Sequence, residues 1–90
     1  MQKILNYING EYVEPISKKW LDNYNPSNGE VYSQIANSNA EDIETAYQAA
    51  KDAFPKWSNT TIDERSRMLL KIADLIEEKL VDLAEAEAKD

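Results

Sequence analysis

The chain has 90 residues, a formal net charge of −7, and neither cysteine nor histidine. Such a length admits one small domain, which buries only roughly 60–65 % of its unfolded surface. The missing side chains exclude a disulfide framework, a zinc–thiolate site, a thiol nucleophile and an imidazole base, and the acidic balance argues against nucleic acid and anionic membrane as partners, since both need a basic face.

The N-terminus, MQKILNYINGEYV, carries no apolar run long enough for a signal peptide or a transmembrane span. The expected location is the cytoplasm. Asn59-Thr60-Thr61 fits a glycosylation acceptor pattern, but these residues read as helix caps.

Residues 4–14 predict a β-hairpin. Asn9-Gly10 is its turn, because a type I′ turn needs positive φ at both central positions. A two-residue turn sets Tyr7 opposite Tyr12 and Ile8 opposite Glu11, so the tyrosines pack across the strands. Pro15 to Lys19 reads as a polar connector. A second hairpin is expected from Trp20 to Ala36, turning at Asn25-Pro26-Ser27-Asn28-Gly29. Pro26 presets φ and Gly29 supplies the left-handed residue. Val31, Ser33 and Ile35 alternate with Tyr32 and Gln34, as in a half-exposed strand.

A first helix is expected over residues 40–54. Asn39 is the leading N-cap, with a Ser38–Glu41 box as the alternative. Glu41 and Asp42 suit the positive end of the dipole. The apolar stripe is Ile43, Ala46, Tyr47, Ala50 and Phe54, and Pro55 is expected to end the helix. Trp57 is placed in the corner before the next helix. Ala46, Ala49, Ala50 and Ala53 permit close approach of another backbone.

The second helix is expected over residues 62–89. Thr61 and Glu64 have capping-box spacing. Leu69, Ile72, Ala73, Ile76, Leu80 and Leu83 form a stripe of helical period, with Arg67, Lys71, Asp74, Glu78 and Glu85 opposite. Unbroken, this helix is about 40 Å long, more than the preceding chain readily covers. The stripe would put Glu87 on the apolar face, so either the helix breaks near 79–82, where Asp82 and Glu85 offer a second cap, or Glu87 is an acid at an interface. Asp63–Arg67 and Glu85–Lys89 have ion-pair spacing.

No catalytic apparatus is visible. The only glycines, Gly10 and Gly29, sit in turns, so there is no phosphate-cradling loop. No Ser or Thr has a base beside it, and the acids read as a solvated face. The tyrosines and tryptophans read as core, and Arg65 as a structural tether. One reading is therefore a free-standing acidic interaction module that offers the stripe of residues 69–83 to a partner helix.

The order of elements carries more. Tyr7-Ile8-Asn9-Gly10-Glu11-Tyr12-Val13, Asn25-Pro26-Ser27-Asn28-Gly29-Glu30-Val31 and Ala40-Glu41-Asp42-Ile43 come first. Ala49-Ala50-Lys51-Asp52-Ala53-Phe54-Pro55-Lys56-Trp57 follows, then Glu64-Arg65-Ser66-Arg67 and Ala73-Asp74-Leu75-Ile76-Glu77. In this order and spacing they resemble the NAD(P)-dependent aldehyde dehydrogenases, nearest the members acting on betaine, muconic or amino-muconic semialdehydes. The resemblance covers essentially the whole chain.

It implies an α/β fold, or α+β for these residues alone. Two N-terminal hairpins and two amphipathic helices would form the outer part of a cofactor-binding domain. It implies an N-terminal piece of an oxidoreductase that turns an aldehyde into a carboxylate with NAD or NADP. The family chain continues past this point with a Gly-Lys-Pro stretch, and its catalytic and dinucleotide-binding residues have no counterpart here. The implied partners are the remainder of that chain and further copies, in a dimer or tetramer. The resemblance also implies a sodium or potassium ion, held by Asp90 and by the backbone carbonyls of Asn23 and Tyr24.

Overall fold

The computed structural model describes residues 1–90. Five strands precede three helices: β1 Gln2–Ile4, β2 Asn6–Ile8, β3 Glu11–Val13, β4 Trp20–Tyr24, β5 Val31–Ala36, α1 Ala40–Ser58, α2 Ile62–Glu78 and α3 Leu80–Lys89.

β2 and β3 form the first hairpin. Asn9 and Gly10 have φ of 53° and 78°, the positive pair that a type I′ turn requires. Tyr7 faces Tyr12 and Ile8 faces Glu11. The two tyrosine rings meet edge to face, with centroids 4.9 Å apart, a preferred aromatic geometry.

The second sheet has the order β1-β5-β4. β4 and β5 are the expected antiparallel hairpin, but β1 was not anticipated. Gln2, Lys3 and Ile4 pair in parallel with Ser33, Gln34 and Ile35. The first residues therefore leave the N-terminal hairpin and join a strand some thirty positions on. No local pattern announces such a pairing, because its partner is distant in sequence. Lys3 also sets its ammonium 4.7 Å from the centre of the Trp20 ring, a cation–π contact reaching across β5.

The β4–β5 loop is pinned by its own polar groups. The Asn25 N–H donates to the Glu30 carbonyl at 2.8 Å, and the Gly29 N–H donates to the Asn25 carbonyl at 2.8 Å. The Asn25 and Asn28 side-chain oxygens accept from the N–H groups of Ser27 and Glu30. Gly29, at φ 73°, is the left-handed residue.

Pro15–Lys18 is more than a polar connector. Pro15 is fully buried, and the Lys18 N–H closes a turn on the Pro15 carbonyl at 2.9 Å. Lys18 itself has φ 57°, and its ammonium is hydrogen-bonded to Glu14. That pair is the only ion pair in the structure. The expected Asp63–Arg67 and Glu85–Lys89 pairs do not form. Arg67 instead turns back to the Asp63 carbonyl, at 3.4 Å. Exposed pairs of this kind contribute too little to hold two long side chains in place.

α1 starts at Asn39, but the box partner is Asp42 rather than a Ser38–Glu41 pair. The Asn39 side chain accepts from the Glu41 and Asp42 N–H groups, while Asp42 Oδ2 accepts from the Asn39 N–H at 3.0 Å. Asp42 Oδ1 then accepts from the Ile16 N–H at 3.0 Å. Asp42 is buried, so an acid expected only to meet the helix dipole is the tie between α1 and the Pro15 turn. Ser38 accepts from Asn6 instead.

Pro55 does not end α1, which runs on to Ser58. A proline costs a helix one N–H donor and crowds the previous turn. Here the lost bond is the single one that a residue at this position would donate to the Lys51 carbonyl, and only three further residues of helix follow Pro55. Side chains satisfy the carbonyls left open where the helix ends: Ser58 and Asn59 donate to the Pro55 carbonyl and Thr60 to that of Trp57. Trp57 does not plug a corner either, being 48 % exposed.

Thr61 caps α2, accepting from the Glu64 N–H at 3.1 Å, without the reciprocal bond of a full box. α2 stops at Lys79, whose φ of −105° and ψ of 22° depart from helical values, and α3 starts at Leu80. Bonds run up to Lys79 from its N–H to the Leu75 carbonyl and away from it from the Leu83 N–H to its carbonyl, both 3.0 Å. The interruption is thus one residue long. Asp82 and Glu85 do not form a cap there, as α3 has no side-chain cap at all.

Apart from Pro15, no apolar side chain is fully buried. The molecule is a slab of 46 × 35 × 15 Å with a radius of gyration of 16.7 Å, against about 12 Å for a compact domain of this length. Its accessible surface is 7547 Å², where a compact protein of this mass exposes about 5,400 Å². Much of the exposed apolar surface lies on the helices. Leu69 is 67 % exposed and Leu80 61 % on the α2–α3 stripe, and Ile43 67 % and Phe54 65 % on that of α1. Each helix is amphipathic, and neither apolar face is covered.

Candidate functional site

The most distant parts of the chain to converge on a charged group do so at the end of α3. There Asp90 meets the β4–β5 hairpin. Asp90 Oδ1 accepts from the side-chain amide of Asn23 at 3.0 Å and from the Tyr32 hydroxyl at 3.2 Å. The same Asn23 nitrogen lies 3.0 Å from the Tyr32 oxygen and 3.2 Å from Ser33 Oγ.

A strand irregularity makes this possible. Asn23 pairs with Ser33, but the next residue, Tyr24, pairs with Val31, so Tyr32 is an extra residue on β5. A bulge of this type re-aims the side chain it inserts. In a regular strand Tyr32 and Ser33 point to opposite faces; here both hydroxyls reach one amide. The alternation expected from the sequence therefore fails at Tyr32. Ser33, at the centre of the three-stranded sheet, is wholly buried, with its hydroxyl satisfied by Asn23. Sequence reasoning missed Tyr32 and Ser33, and nothing in a local pattern marks a bulge.

α3 reaches this hairpin along the β1–β5 edge. Leu83, Ala86 and Asp90 share a groove with Gln2, Ile4 and Tyr32, and Asp82, Glu85, Glu87 and Lys89 also line it. In a separate groove, Ala46, Ala49, Ala50 and Ala53 of α1 face Tyr7, Ile8 and Asn9. The small side of α1 thus lies beside the first hairpin.

Of the three residues expected to hold a cation, the structure joins Asn23 and Asp90 through the Asn23 side chain. Tyr24 stays in β4, paired with Val31. No group of three or more acidic, histidine or cysteine side chains is arranged to hold a metal ion. A monovalent ion has milder needs, since one carboxylate with carbonyl oxygens matches a hard cation. The donor chemistry of Asn23, Tyr24 and Asp90 fits that description, with Asp90 Oδ1 already engaged by two hydrogen bonds. Elsewhere, the Lys18 hydrogen bond, and next its charge, hold the Glu14 carboxyl below the usual glutamate value.

The fold recurs in known proteins. A model of the aldehyde dehydrogenase family matches residues 12–90, and the chain belongs to that family as an N-terminal segment. It is 47 % identical over 85 residues to human 2-aminomuconic semialdehyde dehydrogenase, an alignment covering 94 % of this chain and 17 % of that one. An aldehyde dehydrogenase of Deinococcus radiodurans is also 47 % identical, with 94 % and 16 % covered. Among solved structures, a mutant aldehyde dehydrogenase from Bacillus cereus superposes with a TM-score of 0.92 at 40 % identity, over 99 % of this chain and 18 % of that one. PnpE in complex with nicotinamide adenine dinucleotide gives 0.92 at 42 % identity, again over 99 % and 18 %. The chain thus spans about 17 % of the length of the curated relatives it matches. No helix is long and apolar enough to cross a membrane.

Proposed function

We propose that these residues form the outer part of the cofactor-binding domain of an enzyme that oxidises an aldehyde to a carboxylate with NAD or NADP. The observation that carries this reading is the joint match in sequence and fold over nearly the whole chain, at 42 % identity and a TM-score of 0.92 to a protein solved with that dinucleotide. Bound NAD or NADP supplies the hydride acceptor. The residues present here contribute no nucleophile and no base. They brace: the apolar faces of α1 and α2–α3 cover the rest of the domain, and the Asp90 junction fixes α3 on the sheet edge.

The finer parts of the proposal are these. The substrate is a semialdehyde of the muconic or betaine type, supported by the similarity to 2-aminomuconic semialdehyde dehydrogenase. The enzyme is cytoplasmic and assembles as a dimer or tetramer. Asp90, with the carbonyls of Asn23 and Tyr24, holds a sodium or potassium ion, supported by the meeting of Asn23 and Asp90 across 67 positions.

The test is to express the whole native reading frame and supply the purified protein with a panel of aldehydes and either dinucleotide. Growth of the reduced-nicotinamide absorbance, strongest with a semialdehyde, is the expected result. A frame that yields only this acidic chain, with no turnover, overturns the proposal in favour of a free-standing module presenting residues 69–83.

A further inference from the structure

Two Asn-Gly pairs occur in the chain, Asn9-Gly10 and Asn28-Gly29, and the fold treats them differently. Asn-Gly is the dipeptide in which the following backbone nitrogen most readily attacks the asparagine side chain, because glycine has no Cβ to obstruct the approach. Both pairs are exposed, and both glycines have open space where a Cβ would stand. Accessibility therefore does not separate them.

Hydrogen bonding does. At the second pair the Gly29 N–H, the incipient nucleophile, is held by the Asn25 carbonyl at 2.8 Å. The Asn28 side-chain oxygen, on the carbon to be attacked, is held by the Glu30 N–H at 2.9 Å. Ring closure there must first break both bonds. At the first pair the Asn9 amide has no partner, and the Gly10 N–H, at the tip of a two-residue turn, has no backbone acceptor. Both reacting groups of Asn9-Gly10 are free.

We propose that Asn9 is a site of spontaneous deamidation and that Asn28 is protected by its loop. The Gly10 nitrogen gives up its proton to solvent base and bonds to Asn9 Cγ. The Cγ–Nδ2 bond breaks, and the side-chain nitrogen leaves as ammonia. Water then opens the five-membered imide at either carbonyl, giving aspartate or isoaspartate, with no oxidant or reductant involved. Aspartate is compatible with a type I′ turn. Isoaspartate adds a methylene to the main chain of a two-residue turn whose length sets the Tyr7–Tyr12 register, so the isoaspartyl form opens this hairpin beside α1.

The experiment incubates the full-length native protein at mildly alkaline pH and follows the two peptides by mass spectrometry, with a parallel sample in denaturant. The Asn9 peptide is expected to gain the acid mass at least about tenfold faster than the Asn28 peptide in the native sample, since two hydrogen bonds hold the second pair. The rates converge once denaturant removes the loop. An Asn28→Asp variant keeps the Asn9 signal, and an Asn9→Ser variant abolishes it. Equal native rates, a faster Asn28, or no reaction at Asn9 while the denatured peptide reacts would each overturn the proposal.

Discussion

Asn23 and Asp90 are 67 residues apart, yet the Asn23 side-chain amide donates to the Asp90 carboxylate at 3.0 Å. That bond, with the one from Tyr32, ties the last turn of α3 to the β4–β5 hairpin. In the complete enzyme, Asp90→Ala is expected to lower the melting temperature more in potassium or sodium buffer than in a bulky organic cation. An Asn23→Ala variant is expected to lower it by a similar amount in every buffer, since it removes only side-chain hydrogen bonds, to Asp90, Tyr32 and Ser33. Equal losses for Asp90→Ala in all buffers would show that no cation sits there.

Asp42 is the second long-range tie. Its two carboxylate oxygens accept from Asn39 and Ile16, so Asp42→Ala leaves two backbone donors without partners. The expected loss is about 2 kcal/mol of stability in the complete enzyme. Hydrogen exchange gives the specific signature, a faster Ile16 amide. An unchanged Ile16 amide would mean that the tie carries nothing.

The caps differ in strength. Asn39 accepts two N–H groups within a reciprocal box, whereas Thr61 accepts one. Asn39→Ala is therefore expected toward the upper end of about 0.5–2 kcal/mol and Thr61→Ala toward the lower end. Chemical denaturation of the two variants side by side checks the order.

The ninety residues alone are expected to be molten or self-associated. Their surface exceeds that of a compact protein of equal mass by about 2,100 Å², and exposed apolar helix faces such as those of α1 and α2–α3 mark missing partners. A sharp melt of a monomer in sedimentation and calorimetry, with slow amides in α2, would contradict this.

Glu14 supplies the pH dependence. Lys18 lowers its carboxyl value, first by hydrogen bond and then by charge. A lowered folded-state value means that the favourable contribution is present above the unfolded glutamate range and is lost as pH falls through the lowered value. The contribution to stability is small because the pair is exposed. Carboxyl-carbon NMR is expected to show Glu14 titrating below the ordinary range and returning to it in a Lys18→Met variant.

What the sequence by itself determined is what short-range chemistry controls. Asn9-Gly10 dictates a type I′ turn and with it the Tyr7–Tyr12 register, because two positive φ angles leave no other hairpin. Asn39 and Thr61 dictate where helices begin, because their side chains reach the first free N–H groups. The ordered motifs from Tyr7 to Glu77 sufficed for the family. The tertiary structure alone decided the rest. β1 pairs with β5 only once the intervening chain has folded back. Tyr32 reaches Asp90 only because a bulge re-aims it, and Asp42 is buried only because the Pro15 turn lies against α1. Pro55 stays within α1 while side chains of the residues that follow it satisfy the carbonyls at the helix end. Each of these depends on partners brought together by the fold, and spacing along the chain carries no record of them.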